Sequence, residues 1–201
     1  MTLTPRKFAL GIGFLVAMPI ITISILGFTN SFETKQLPFY GTLPTFELVE
    51  RTGATVYSDD LKHKVWIAGF VFTNCAGQCP LIASKMRFIQ EKLRFKDNFR
   101  LIAITVDPER DSPKALAAYA KRYDADPYKW LFLTGRPGDI QALVKNGFRL
   151  ASEGSGSEMT HSDRLVLIDG YGRIRGYYDA LDENAIRTLL KDTRKLLRET
   201  F

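Results

Sequence analysis

The 201-residue sequence predicts an α/β fold, with a central mixed β-sheet flanked by helices. Short apolar runs rich in β-branched residues alternate with segments whose apolar residues recur every three or four positions, a pattern typical of buried strands followed by helices. Hairpin-like stretches stand at both ends of this alternation, so we expect antiparallel strands beside the parallel ones. With 45% hydrophobic and 25% charged residues, the composition is that of a globular protein with a sizeable core.

The N-terminal segment differs from the rest of the chain. Residues 8–28 include no charged side chain and are long enough to cross a hydrocarbon core of about 30 Å. Arg6 and Lys7 precede them, so the positive-inside rule predicts a cytoplasmic N-terminus and a single membrane pass. The alternative is a cleaved signal peptide, but such a peptide has a shorter apolar region that ends in small residues.

This segment divides the chain into an anchor over residues 1–31, a linker over 32–44 and a folded domain over 45–201. The lead before the apolar segment is too short for a mitochondrial transit peptide, which favours a bacterial inner membrane with the main domain in the periplasm. The net charge is +6 without a basic patch interleaved with aromatic residues, which argues against a nucleic-acid partner.

The first half of the domain predicts a hairpin, a buried strand and a helix. Two short β-prone runs flank a Gly-containing turn, and a continuous apolar run follows after a second short turn. The helix has its apolar residues at Ile82, Met86, Ile89 and Leu93, which lie on one face. The predicted strands are 45–50, 55–57 and 64–72, and the predicted helix is 80–94.

The second half predicts alternating strands and helices, then a hairpin and a last helix. Ser112 before Pro113 is a typical helix start, and Gly147 is a typical helix end. Gly170 and Gly172 mark the turn of the hairpin. The predicted strands are 100–106, 130–134, 164–169 and 173–178, and the predicted helices are 113–123, 139–146 and one whose buried face runs from Ile186 to Leu197. This order is the thioredoxin-like arrangement, whose sites lie at the carboxyl ends of the strands.

Both cysteines of the chain lie in one predicted strand-to-helix turn. Pro80 suits the first helical position, so Cys79 would be the N-cap, where the helix dipole favours a thiolate. Cys75 lies four residues earlier, so a tight or helical loop would place the two sulfur atoms within about 4–7 Å of each other. A structural disulfide is one interpretation, but a bridge closing so short a loop removes little unfolded-state entropy. The pattern favours redox cycling or metal binding.

A metal site would need further ligands, and the histidines are His63 and His161. His63 lies in a polar turn and is expected to be solvated. His161 ends a Gly- and Ser-rich loop over 151–160, where it is either an inert loop residue or a ligand that reaches the cysteines. Two thiolates with one imidazole suit copper, especially Cu(I), better than a closed zinc site. After strand 100–106, Asp107 and Asp111 are either turn and capping residues or carboxylates that orient a ligand.

Three motifs together resemble the Sco/SenC family: FTNCAGQCP at 72–80, TVDPERDSP at 105–113 and THSDRLVLID at 160–169. The resemblance covers about residues 41–198. It implies a thioredoxin-like fold, copper ligation by Cys75, Cys79 and His161, and Asp107 as the family's acidic residue near the site. Many family members have Pro directly after the first cysteine, whereas this chain has Ala76 followed by Gly77, which loosens the turn and bears on copper affinity and redox potential.

The resemblance further implies a membrane-tethered chaperone that handles Cu(I) or Cu(II). Its expected partners are the copper-accepting subunit of cytochrome c oxidase, whose binuclear copper centre the family helps to assemble, and other copper chaperones. An enzymatic alternative stays open: Cys75 and Cys79 would be the redox pair of a thiol–disulfide reductase that keeps the acceptor's cysteines reduced. A peroxidase rests only on the fold and a cysteine at a helix N-terminus, and is disfavoured.

Overall fold

The computed structural model describes residues 36–75, 77–150 and 163–199. The chain divides into two units, Met1–Gln36 and Leu37–Phe201, and all the elements below belong to the second. The predicted anchor over 1–31, including residues 8–28, lies outside the described residues. Among the described helices, none has the length and apolar character needed to cross a membrane.

Eight strands and four α-helices make up the described part of this unit. The strands are β1 Gly41–Thr42, β2 Glu47–Glu50, β3 Thr55–Tyr57, β4 Val65–Val71, β5 Phe99–Thr105, β6 Trp130–Thr134, β7 Arg164–Ile168 and β8 Arg173–Asp179. The helices are α1 Cys79–Leu93, α2 Pro113–Arg122, α3 Pro137–Ala142 and α4 Glu183–Leu196. A 3-10 turn, Ser58–Leu61, follows β3, and a π-helical turn, Leu143–Gly147, follows α3.

The strands form one mixed sheet in the order β1-β8-β7-β4-β5-β6-β2-β3. Strands β4, β5 and β6 are parallel, while β7 runs antiparallel to β4 on its other side. The predicted central mixed sheet flanked by helices is therefore confirmed. Since β4 has a partner on each side, the turn that follows it lies at the carboxyl end of a central strand.

Both faces of the sheet are covered, which explains why every residue of β4 is buried. Alternate side chains of the strand, including Ile67 and Val71, pack with α1, α2 and α4 on one face. Trp66, Ala68 and Phe70 pack with α3 and the π-helical turn on the other. A strand buried on both faces reads as a continuous apolar run, which is the pattern that predicted it.

Helix α1 approaches β4 closely because the strand has a glycine at the contact. A Cβ atom at Gly69 would lie 2.6 Å from Sδ of Met86 and 3.1 Å from Cδ2 of Leu165. Met86 is fully buried on the apolar face of α1, as its spacing predicts. The close packing fixes the helix, and therefore its first residue, against the end of β4.

Some element ends differ from the prediction. Helix α1 begins at Cys79 with Gln78 as its N-cap residue, so Cys79 is the first helical residue and not the N-cap. The backbone of Gln78 is already helical, with φ −81° and ψ −25°. The prediction for Ser112 is confirmed, since its side chain accepts a hydrogen bond of 3.3 Å from the amide of Ala115.

The later part of the predicted linker is structured. Gly41–Thr42 forms an edge strand that pairs with β8. The guanidinium of Arg175 donates hydrogen bonds of 2.8 Å to the carbonyl oxygens of Leu37 and Pro38 and to the buried carboxylate of Asp169. Prolines and a glycine predicted a tether here, but buried partners from β8 hold the segment in place.

Candidate functional site

The turn between β4 and α1 carries both cysteines at the carboxyl edge of the sheet. Val106, the residue after β5, still donates its amide to the carbonyl oxygen of Val71, the last residue of β4, at 3.0 Å, so the β4–β5 pairing extends to the start of the turn. The chain then bends, and the amide of Cys75 donates to the carbonyl oxygen of Phe72 at 3.4 Å. Cys79 begins α1 four residues later.

The two cysteines are free thiols that contact each other. The two thiol groups lie close enough to influence each other's pKa, and the Cys75 sulfur accepts a hydrogen bond of 3.4 Å from the amide of Gly77. Cys79 is only 4% exposed, whereas Cys75 is partly exposed. This arrangement confirms the expected proximity of the two sulfur atoms.

The two thiols differ in acidity. Burial acts to raise the pKa of Cys75, but hydrogen bonds from the Cys79 thiol and from the amides of Cys79, Gly77 and Gln78 outweigh it and lower the pKa overall. Burial, reinforced by the hydrogen bond to Cys75, raises the pKa of Cys79 to about 12. Cys75 is therefore the thiol that ionises first, while Cys79 holds its proton.

A buried carboxylate, Asp111, ties the cysteine turn to the sheet. Its oxygens accept hydrogen bonds from the amide of Thr73 at 3.0 and 3.2 Å and from the Thr73 hydroxyl at 2.5 Å. They also accept one from the hydroxyl of Thr105, the last residue of β5, at 2.6 Å. The side chain of Asp111 is fully buried, and Thr73 lies two residues before Cys75.

Asp107 has different partners from Asp111. Its amide donates to the hydroxyl of Thr105 at 3.0 Å, and its carboxylate lies 2.6 Å from Nε of Arg110, an exposed side chain of the same turn. The role predicted for Asp107 beside the metal ligands stays a prediction. The carboxylate that reaches the cysteine turn directly is that of Asp111, four residues later, which the sequence analysis named together with Asp107 as a capping residue or a carboxylate that orients a ligand.

A tyrosine that sequence reasoning missed supports the first turn of α1. The hydroxyl of Tyr119, on α2, donates a hydrogen bond of 3.3 Å to the carbonyl oxygen of Cys79. Burial raises the pKa of this phenol, and a hydrogen bond with Tyr123 adds to the effect. In the sequence, Tyr119 is one more apolar position of an amphipathic helix, and no local pattern indicates its contact with Cys79.

The two histidines differ in what the structure says of their position relative to the cysteine turn. His63 is exposed and precedes β4, so the length of that strand, about 23 Å at 3.3 Å per residue, separates it from the cysteines. His161, the expected third ligand, lies outside the described residues, as does Ala76. Across residues 36–75, 77–150 and 163–199, no three His, Cys, Asp or Glu side chains form a group that could hold a metal.

The chemistry of the two sulfur donors fits a soft metal ion. Adjacent thiolates are preferred ligands of Cu(I), and copper bound here would be reached from solvent on the Cys75 side. The same pair fits thiol–disulfide exchange, because one thiol ionises easily and the other is held beside it. The geometry therefore supports two kinds of chemistry at one turn.

The comparisons with known proteins identify the family. A profile described as SCO1/SenC matches residues 35–198, which is nearly all of the folded unit. The chain belongs to the SCO1/SenC family. The predicted family is thus confirmed, and the match extends across the cysteine turn, the Asp107–Asp111 turn and the His161 region.

Solved structures of SCO1/SenC proteins share this fold. A SCO1/SenC family lipoprotein from Bacillus anthracis is 29% identical with a TM-score of 0.71, over 81% of this chain and 98% of its own. BsSco, described as a member of the Sco family of cytochrome c oxidase assembly proteins with a disulfide switch, is 27% identical with a TM-score of 0.72, over 82% and 98%. Bradyrhizobium japonicum ScoI with copper bound is 25% identical with a TM-score of 0.59, over 78% and 99%.

Proposed function

We propose that this chain is a membrane-tethered copper chaperone. It binds copper through Cys75, Cys79 and His161 and delivers it to the binuclear copper site of cytochrome c oxidase. The observation that supports this most directly is the pair of contacting free thiols at the end of a central strand. The copper bound to ScoI and the description of BsSco as an oxidase assembly protein add to that support.

The unequal thiols suggest an order of ligand binding. Cys75 is partly exposed and ionises first, so an incoming copper ion meets its thiolate before that of Cys79. Coordination by Cys79 then releases the proton that burial retains in the free chain. In transfer, an acceptor thiolate would attack the copper ion from the solvent side at Cys75, and the buried Cys79 would leave last.

The proposed location is the bacterial inner membrane, with residues 8–28 as the tether and the folded unit in the periplasm. The chain's two cysteines lie at 75 and 79, in the folded unit, and the tether that we propose is the apolar segment. The related Bacillus anthracis protein is described as a lipoprotein. Either kind of tether would keep a chaperone beside a membrane-bound acceptor.

The ligand set is tested by copper binding to the reduced full chain in detergent. We expect one copper ion per chain, with Cu(II)–thiolate absorption. We expect His161→Ala to weaken binding at least about tenfold and to change the absorption, as loss of one of three ligands should. His63→Ala is the matched control and should behave as wild type. Absence of copper binding would refute the chaperone proposal, and binding that is indifferent to His161→Ala would refute the three-ligand site.

A second candidate function is reduction of the acceptor's disulfide, favoured by the difference between the thiols. The Cys75 thiolate attacks one acceptor sulfur, forming a mixed disulfide and releasing the other sulfur as a thiolate. Cys79 loses its proton and attacks Cys75, so a Cys75–Cys79 disulfide forms and the second acceptor thiol is released. The two electrons pass from the thiol pair to the acceptor.

Trapping experiments separate the two functions. A reductase should form a stable mixed disulfide in the Cys79→Ser variant, and His161→Ala should keep wild-type reductase activity. If His161→Ala abolishes copper transfer but leaves reduction intact, both activities belong to the same turn. If Cys79→Ser traps no mixed disulfide with an oxidised acceptor, the reductase proposal is wrong.

A further inference from the structure

The carboxylate of Asp111 connects three parts of the fold at the cysteine turn. Its hydrogen-bond partners are Thr73, which leads into the turn, and Thr105, which ends β5. Its own amide donates to the carbonyl oxygen of Asp107 at 2.9 Å, which fixes the turn before α2. Each of its carboxylate contacts is with a donor, so the site suits a negatively charged acceptor.

Such a carboxylate is a costly way to stabilise a fold. Removing a charge from water is unfavourable unless hydrogen bonds replace the lost solvation, and apolar residues of similar volume often stabilise a core equally well. Asp111 is fully buried, yet its partners are two threonines beside the functional turn. The arrangement therefore fixes a particular backbone position at Thr73.

The position of Thr73 bears directly on the first thiol. Thr73 follows Phe72, whose carbonyl oxygen accepts the hydrogen bond from the amide of Cys75. On the other side of Cys75 lies Gly77, which is exposed and provides an amide contact of 3.4 Å to the Cys75 sulfur. The Thr73–Asp111 bonds anchor the first half of this turn, and Asp111 also accepts a hydrogen bond from the hydroxyl of Thr105 at the end of β5.

We propose that Asp111 is a positioning residue for the thiol pair: by holding Thr73, it sets the geometry of Cys75 relative to Cys79. The bonds are present with both cysteines as free thiols, and we expect them to favour this reduced form over the disulfide. Its relevance to copper delivery rests on the proposed function, but its effect on the thiols can be measured without copper.

The test compares single hydroxyl changes in the full chain. Thr73→Val removes the hydroxyl that donates to Asp111 and keeps the side-chain shape, while Thr73→Ser keeps the hydroxyl. Thr193→Val is the control for loss of a buried threonine hydroxyl, because Thr193 is fully buried, whereas Thr73 is half-buried, and the Thr193 hydroxyl donates to the carbonyl oxygen of Leu189 within α4. The unfolding free energy of each variant is measured alongside, so that loss of the fold is recognised.

The readout is the equilibrium with glutathione. The Cys75–Cys79 dithiol reduces glutathione disulfide, giving the Cys75–Cys79 disulfide and two molecules of glutathione, so atoms and electrons balance. We expect Thr73→Val to shift this equilibrium about tenfold toward the protein disulfide, equivalent to about 30 mV. Thr73→Ser and Thr193→Val should match wild type. Asp111→Asn, which places an amide donor against the threonine donors, should shift it at least as far.

Other outcomes would overturn the proposal. An equilibrium within twofold of wild type for Thr73→Val, or an equal shift in Thr193→Val, would show that Asp111 does not position the thiols. If Asp111→Asn does not fold, the Thr73 variants still decide the question. A chain that binds no copper but responds as expected to Thr73→Val would refute the chaperone function and leave the positioning role intact.

Discussion

Cys75 and Cys79 have the same side chain but different surroundings, and their chemistry follows from that difference. Cys75 is partly exposed and accepts hydrogen bonds, which lower the pKa of its thiol. Cys79 is buried at the start of α1, and burial raises the pKa of its thiol. Position at a helix N-terminus predicts an acidic thiol for Cys79, but desolvation outweighs the helix dipole here.

The first prediction concerns thiol labelling. At neutral pH, we expect iodoacetamide to modify Cys75 at least about tenfold faster than Cys79, because the thiolate is the nucleophile and Cys75 is the accessible one. Peptide mapping by mass spectrometry after short labelling times measures both rates. Cys75→Ser should leave only slow labelling in the folded chain, which denaturant should accelerate. Equal rates for the two thiols would contradict the assignment.

The second prediction concerns stability against pH. Folding raises the pKa of Cys79 from 9.0 to about 12, so the folded state keeps a proton that the unfolded state loses in this range. The contribution of Cys79 is therefore complete below pH 9 and falls as the pH rises toward 12. Denaturant unfolding of the reduced chain measures it, as the difference between wild type and Cys79→Ala at each pH. A difference that stays constant or grows above pH 9 would disprove the assignment.

At the scale of elements, the approach of α1 to β4 holds the cysteine turn in place. Gly69 gives room for Met86, so the helix lies directly against the central strand. Because the first residue of α1 is Cys79, any displacement of this helix moves one of the two sulfur atoms. The packing of the helix and the geometry of the thiol pair are therefore linked.

The third prediction tests this contact. Gly69→Ala places a methyl group 2.6 Å from Sδ of Met86, which must move within a fully packed core, so we expect a loss of about 1–3 kcal/mol in unfolding free energy. Gly138→Ala is the control, since a Cβ there meets nothing within 4 Å. Chemical denaturation measures both. Equal stability of Gly69→Ala and wild type would show that α1 can shift without cost.

Local signals predicted most elements, while contacts between distant segments escaped the sequence analysis. Apolar runs and helical spacing were enough for β4, α1 and the thiol pair, because these patterns depend on near neighbours. The bond from Thr73 to Asp111 joins residues 38 positions apart, and that from Tyr119 to Cys79 joins residues 40 apart. Such pairings depend on the order of strands in the sheet. His161 as a ligand stays a prediction.

At the scale of the whole folded unit, the segment over residues 37–44 covers the free edge of β8 and adds the outermost strand of the sheet. It adds β1 to β8 and supplies the carbonyl oxygens that Arg175 binds. A second contact joins it to the end of the π-helical turn, since Arg149 donates to the carbonyl oxygen of Tyr40 at 2.7 Å. Residues that the sequence analysis assigned to a linker therefore supply hydrogen-bond acceptors to two arginine side chains of the folded unit, Arg149 and Arg175.

The fourth prediction compares two truncated chains, one beginning at Leu37 and the other at Thr45. Removal of the segment leaves the guanidinium of Arg175 without two of its acceptors, so we expect the shorter chain to lose at least about 2 kcal/mol of unfolding free energy. Urea denaturation of both chains measures this difference. If the two chains were equally stable, the segment would contribute nothing to the fold.

The order of strands also determines how late in synthesis the two thiols become protected from solvent by the folded sheet. Strand β4 pairs with β7, in a register that joins Trp66 to Ile168, about 100 residues later along the chain. A chain that emerges N-terminus first exposes Cys75 and Cys79 well before β7 is available to complete the sheet around β4. During that interval both sulfur atoms are accessible to oxidants and to stray metal ions. We therefore expect the nascent chain to need a reductant that keeps both thiols reduced. In the finished fold Cys79 is buried and no longer needs that protection.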